Sequence, residues 1–281
     1  MRRVLTVACR EAELGATLDA AHEAGTGLLL VTGGTQTRIG SHRMYESLAK
    51  SLAKRHISCL RFDRRGVGDS GGEDPGFRGS APDLAAAAAL LRAERPALER
   101  VYGFGLCDGA TALGLFGDRA GLDGLVLVNP WLVEAEAGAP PPAAIRRHYR
   151  ERLASLEGWK KLLSGRVDYR KLLRGILKSA RRSSSPLSND VAEALAQHRL
   201  RVQWILATGD ATAVAAENEL RSTAFDSVDP LKIETDSHTF ARPGDAAALG
   251  EAVLTAIGRL QSPFPSGEGD FRPLPSRDSR Q

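Results

Sequence analysis

The clearest chemical signal in the chain is Gly105-Leu106-Cys107-Asp108-Gly109. A thiol with a glycine two residues to either side, between an apolar run and a helical pattern, has the setting of a nucleophile elbow. Such a turn is sterically tight, so the flanking positions must be small while the central side chain is lifted out of the sheet. Cys107 would be the attacking group. A thiol ionises more readily than a hydroxyl, and a helix N-terminus favours an anion. The competing reading is a buried, inert cysteine at a helix start.

A nucleophile of this kind needs a base, and the base needs an orienting acid. The expected chain order is nucleophile, acid, histidine. Asp210 follows the apolar run 202–207, and His238 follows the run 228–233, so each sits just past the carboxyl end of a predicted strand. His42, Asp236 and Glu217 are the rivals for these roles. The run Gly27 to Thr32 ends in Gly33-Gly34-Thr35-Gln36. The backbone N–H groups of Gly34 and Thr35, with that of Asp108, are the candidate oxyanion donors. Arg38, His42, Arg43 and Trp131 are candidate substrate contacts, with a solvated-loop reading beside each. Asp63-Arg64-Arg65-Gly66-Val67-Gly68-Asp69-Ser70 carries neither a dinucleotide fingerprint nor a P-loop and reads as a structural turn.

The elements that must position these groups alternate. Segments 5–8 and 13–18 read as a hairpin. Strands are predicted over 27–32, 57–62, 100–104, 125–128, 202–207 and 228–233, and helices over 44–55, 82–94, 109–116 and 246–260, with Ser80 and Asp83 as candidate caps of the second helix. Several strands are apolar without alternation, the mark of a sheet buried on both faces. The fold class is α/β, with a mainly parallel central sheet flanked by helices. The alternation fails between Trp131 and Leu200. The expected organisation is a core over 1–130, a helical cap insertion over 131–200, the rest of the core over 201–261, and a Pro-rich disordered tail over 262–281.

The chain has 281 residues, 42% of them apolar and 26% charged, an ordinary globular balance. A net charge of +4 excludes a general nucleic-acid binder. No run is long enough for a membrane span, and the apolar stretch after Met1-Arg2-Arg3 is too short for a secretory leader. Cys9, Cys59 and Cys107 are too scattered for a disulfide framework or a zinc cluster. No cofactor and no metal are expected, and a cytoplasmic location follows. The charge is uneven. Residues 146–182 hold 13 Lys or Arg against 3 Asp or Glu, a net of +10 that leaves −6 for the remainder. With leucines interleaved, this segment reads either as a solvated outer face or as a docking surface for an anionic partner.

Taken in order, the Gly33-Gly34 loop, the Asp63 to Ser70 turn, the Gly105 to Gly109 elbow, Gly209-Asp210 and His238 resemble the α/β-hydrolase superfamily. Further strings resemble the hydrolases associated with exosortase A systems in exopolysaccharide gene clusters. These are Gly40-Ser41-His42-Arg43, Leu60-Arg61-Phe62-Asp63 and Leu127-Val128-Asn129-Pro130-Trp131. A cysteine at the elbow is also similar to the dienelactone hydrolases, which share a Cys-Asp-His arrangement. The resemblance implies an esterase or thioesterase, with acyl transfer as a variant, acting on a small-molecule or carrier-bound acyl substrate. It also implies that the insertion caps the site. The alternative is a non-catalytic binding or regulatory module on the same scaffold.

Overall fold

A computed structural model of the chain describes residues 1–133, 185–198, 200–222, 225 and 229–262. Most of the predicted cap insertion, all of its basic run and nearly all of the tail lie outside the described residues.

Eight strands form one sheet: β1 (Arg2–Cys9), β2 (Ala12–Asp19), β3 (Thr26–Val31), β4 (Ile57–Phe62), β5 (Arg100–Leu106), β6 (Gly124–Val128), β7 (Val202–Ala207) and β8 (Leu231–Ile233). Their spatial order is β1-β2-β4-β3-β5-β6-β7-β8. β1, β2 and β4 pair antiparallel, and every other neighbouring pair is parallel. The predicted α/β class and the N-terminal hairpin are both present. β3 and β5 are buried from their second residues onward because helices cover both faces; Leu28 to Val31 and Phe104 are fully buried. β8 begins three residues later than expected, after Pro230, which has no N–H to give a ladder.

The helices are α1 (Met44–Ala53), α2 (Ala81–Glu94), α3 (Asp108–Phe116), α4 (Pro186–His198), α5 (Ala211–Ser222) and α6 (Asp245–Gln261). Their apolar stripes fix how they dock. α6 buries Leu249, Val253, Ala256, Ile257 and Leu260, a three- and four-residue spacing along one face. α4 falls within the stretch assigned to the insertion, yet it buries Leu187, Val191 and Leu195 in the common core. Val191 packs so closely on α3 that a Cβ at Gly114 would come within 2.9 Å of it. This part of 131–200 is joined to the body.

The capping expectation at α2 needs correction. Ser80 occupies the N-cap position, but its hydroxyl donates back to the Phe77 carbonyl at 2.7 Å and makes no cap bond. The Asp83 carboxylate accepts instead from Arg65 Nε at 2.5 Å and from the Cys9 thiol at 3.2 Å. A buried charge is better served by a guanidinium than by a peptide N–H, so the acid turns inward.

The topology decides where chemistry can gather. The chain runs from β3 outward to β4, then returns to the other side of β3 with β5. This is a switch point, where the carboxyl ends of parallel strands open a crevice. Val31 lies opposite Gly105, so the glycine loop after β3 and the elbow after β5 emerge side by side.

Candidate active site

Cys107 sits between β5 and α3 with φ 61° and ψ −126°, a conformation that side chains rarely adopt. The flanking glycines have a steric cause. A Cβ at Gly105 would come within 2.7 Å of the Ala110 nitrogen, and one at Gly109 within 2.6 Å of the Val31 carbonyl oxygen. Neither backbone atom can move aside, so the turn closes only with glycine at both places. Several bonds hold the elbow. The Cys107 N–H donates to Val128 at 3.0 Å, and the Cys107 carbonyl accepts from the Trp131 N–H at 3.2 Å. The Thr111 hydroxyl donates to the Trp131 carbonyl at 2.7 Å.

Asp210 follows β7 and is fully buried. Its Oδ2 accepts from the Ala213 N–H at 3.0 Å, which caps the start of α5. The same oxygen lies 3.0 Å from His238 Nδ1. Nδ1 therefore carries the proton, and Nε2 is left for the elbow. Cys107 is close enough to act on the imidazole as well. Burial alone would lower its pKa, but the bond to the Asp210 carboxylate and the interaction with Cys107 outweigh this and raise it from 6.5 to about 9. Cys107, His238 and Asp210 thus gather at the ends of β5, β8 and β7, with His238 hydrogen-bonded to Asp210.

The rivals lie elsewhere. Asp236 pairs with Arg242 at 2.5 Å. Glu217 pairs with Lys232 at 2.9 Å and Arg221 at 2.7 Å, and the Lys232 bond leads in holding its pKa down. His42 is exposed on the short turn Ser41–Arg43, with no hydrogen bond to the other three groups among the described residues.

Two expectations about the surrounding loops are corrected. The Gly34 N–H is not open to a substrate oxygen, because it donates to Asp108 Oδ1 at 2.5 Å. That leaves Thr35 and Asp108 as backbone donors, the latter in the first turn of α3, where no intrahelical partner exists. Arg38 is likewise committed. Its guanidinium bonds to Asp63, to Asp69 at 2.7 Å and to the Thr17 hydroxyl at 3.1 Å. Arg43 pairs with Glu46 at 2.6 Å. Of the four candidate substrate contacts, Trp131 is the one bonded to the elbow. The Asp63 to Ser70 segment is the structural turn expected of it. Asp63 accepts the N–H groups of Arg38 and Asp69, and the Ser70 hydroxyl donates to the Asp63 carbonyl at 2.7 Å.

Asn129 is a positioning group that residue types alone did not flag. It is fully buried with φ 40°. Its Oδ1 accepts from the Ala207 N–H at 2.9 Å, and its Nδ2 donates to the His238 carbonyl at 3.4 Å. One amide thus ties the end of the acid-bearing strand to the histidine loop. The available signal was an asparagine, a residue tolerant of positive φ, between an apolar strand and Pro130.

The three thiols differ sharply. Burial, reinforced by the bond to Asp83, pushes Cys9 up to about 11, and burial also pushes Cys59 up. Cys107 is half-buried. Iodoacetamide near neutral pH should alkylate Cys107 first and leave Cys9 and Cys59 until the protein unfolds. Peptide mapping of a labelling time course checks this, and equal rates at all three would contradict it.

Among the described residues no cluster of His, Cys, Asp and Glu could hold a metal ion, and no helix is long and apolar enough to cross a membrane.

The profile of the family described as "Alpha/beta hydrolase family" matches residues 28–258. No curated protein matches the sequence. Solved structures similar to the chain include three hydrolases. An α/β serine hydrolase without lid from Xanthomonas campestris is 17% identical, with TM-score 0.57, covering 94% of this chain and 97% of that one. An esterase from Pyrococcus furiosus is 16% identical, with TM-score 0.59 and coverages of 92% and 91%. A dienelactone hydrolase from Anabaena variabilis is 15% identical, with TM-score 0.60 and coverages of 92% and 97%. At these identities the likeness is one of fold.

Proposed function

The chain belongs to the alpha/beta hydrolase family, and from that premise we propose that it cleaves an ester, thioester or lactone by covalent catalysis at Cys107. The observation that carries the proposal is the convergence on one place of Cys107 and of His238, the latter hydrogen-bonded to the buried Asp210.

The Cys107 thiolate attacks the acyl carbon, a C–S bond forms, and the carbonyl electrons move to oxygen. The N–H groups of Thr35 and Asp108 receive that oxyanion. The tetrahedral intermediate collapses and the bond to the leaving oxygen or sulfur breaks. The leaving group takes the proton from His238 Nε2. Neutral His238 then accepts a proton from water as the water attacks the acyl-cysteine. Collapse of the second intermediate releases the acid and restores the thiolate–imidazolium pair. Asp210 keeps the proton on Nδ1 and offsets the imidazolium charge. An acceptor alcohol in place of water gives acyl transfer. The strain kept at Cys107 favours this reading over a non-catalytic module, which has no use for it.

The strings shared with exosortase A system-associated hydrolases extend the proposal to an acyl substrate of exopolysaccharide assembly in the cytoplasm. The basic run 146–182 extends it to an anionic carrier. A panel of aryl esters, acyl-thioesters, lactones and acetylated sugars, run at low and high salt, tests this. Turnover that depends on Cys107 is expected, and no turnover of any member would sink it. A rate for carrier-bound substrates that is independent of salt would sink the docking role.

The raised His238 pKa sets a pH dependence. The imidazolium is favoured in the folded state, so its contribution to stability is full below about 6.5 and is lost as pH rises through about 9. The proton needed by the leaving group goes at the same point. kcat/KM should hold through neutral pH and fall above about 9. A pH–rate profile whose alkaline limb lies near 6.5 would contradict this.

A further inference from the structure

Both backbone polar groups of Gly34 are taken. Its N–H donates to Asp108 Oδ1, and its carbonyl accepts from Arg64 Nη2. Gly34 has φ 57°, and nothing lies within 4 Å of where its Cβ would stand. The loop at this point is held by hydrogen bonds rather than by packing.

Arg64 is an unusual group to find there. It is 1% exposed, and it makes no ion pair among the described residues. Its Nε and Nη1 have no hydrogen-bond partner. Its neighbour Arg65, by contrast, bonds to the Asp83 carboxylate. Taking a guanidinium out of water with two nitrogens unpaired is costly, so the bond to the Gly34 carbonyl invites a functional account.

Peptide geometry supplies one. Among the described residues there is no cis peptide bond. In a planar trans peptide the carbonyl of one residue and the N–H of the next point in opposite directions. Arg64 holds the Gly34 carbonyl on the buried side, which turns the Thr35 N–H to the opposite, exposed side. The loop lies directly against the elbow there: a Cβ at Gly33 would come 3.1 Å from the Cβ of Cys107. With the Gly34 N–H occupied, Thr35 is the loop residue left to meet an acyl oxygen.

We infer that Arg64 is a positioning residue for the oxyanion site, fixing the Gly34–Thr35 peptide so that the Thr35 N–H faces the acyl oxygen. The inference rests on the chemistry proposed at Cys107 and deepens it. If the loop were free to flip this peptide, a carbonyl oxygen would face the developing negative charge in place of a donor.

Two reactions of Cys107 separate this role from a general structural one. Acylation by p-nitrophenyl acetate passes through an oxyanion. Alkylation by iodoacetamide does not. Arg64→Met keeps the bulk and removes the donor, while Arg64→Lys keeps a cation that can still reach a carbonyl. In Arg64→Met we expect kcat for the ester to fall about 10- to 100-fold, less than the roughly 10²–10³ lost when a donor is removed outright. KM and the alkylation rate should change little, and Arg64→Lys should recover part of the loss. Unchanged acylation in Arg64→Met overturns the inference, and so does an equal loss of acylation and alkylation. Should Arg64→Met fail to fold, the same ratio read in Arg64→Lys decides. Cys107→Ala is run beside them. If that variant still turns over the ester, the chemistry assigned to Cys107 has failed, and the result is distinct from a failure of the role of Arg64.

Discussion

Replacing Cys107 by alanine should lower turnover by about 10⁴- to 10⁶-fold, the scale on which removal of an attacking group acts when the rest of the site is left in place. Alanine tolerates φ 61° no worse than cysteine does, and Cys107 lies outside the sealed core, so Tm should barely move. The loss would therefore be chemical. Cys107→Ser sharpens the point. The hydroxyl is a poorer nucleophile at neutral pH, but His238 and Asp210 remain to act as its base. The serine variant should keep measurable ester turnover and lose most thioester turnover, since a thiolate exchanges with a thioester at matched basicity. Kinetics and thermal melts on the two variants check this. An alanine variant with more than a few per cent of wild-type activity would remove Cys107 from the mechanism.

Asp210→Asn should cost about 10³- to 10⁴-fold in kcat, because the amide permits the wrong histidine tautomer and no longer offsets the imidazolium charge. Asparagine can still accept the Ala213 N–H, so the start of α5 should survive and Tm should fall little. Asp210→Ala loses the cap as well, at about 1 kcal/mol more. The pH profile adds a second signature. The carboxylate is one of the groups that raise the His238 pKa, so its removal should shift the alkaline limb to lower pH. An asparagine variant with a wild-type limb would mean that Asp210 does not govern His238.

The sequence was most informative where the structure is local. β4 and β7 have the bounds their apolar runs predict, because a strand buried on both faces needs no partner to be recognised. The elbow was legible because its two glycines answer to backbone atoms within a few residues or on the adjacent strand. What could not be read was how distant loops satisfy one another. Arg38 read as a candidate substrate contact or a solvated loop residue, but strand order brings Asp63 and Asp69 to it from 25 and 31 residues away. The Gly34 N–H looked open, but Asp108, 74 residues on, accepts it. Asn129 reaches the His238 carbonyl across 109 residues. These bonds depend on which strands lie near one another, β3 and β4 for Arg38, β3 and β5 for Gly34, and β6, β7 and β8 for Asn129, a fact of topology that spacing along the chain does not contain.

The central claim, a covalent acyl-enzyme on Cys107, is open to one direct measurement. The protein is mixed with p-nitrophenyl acetate, quenched in acid within the first turnover, digested and mapped by mass spectrometry. A burst of one equivalent of nitrophenolate per chain is expected, with a single acetyl group on the peptide carrying Cys107 and none on the peptides of Cys9 and Cys59. Prior alkylation of Cys107 should abolish both the burst and the adduct. An acetyl group on another residue, or steady turnover that survives alkylation of Cys107, would contradict it.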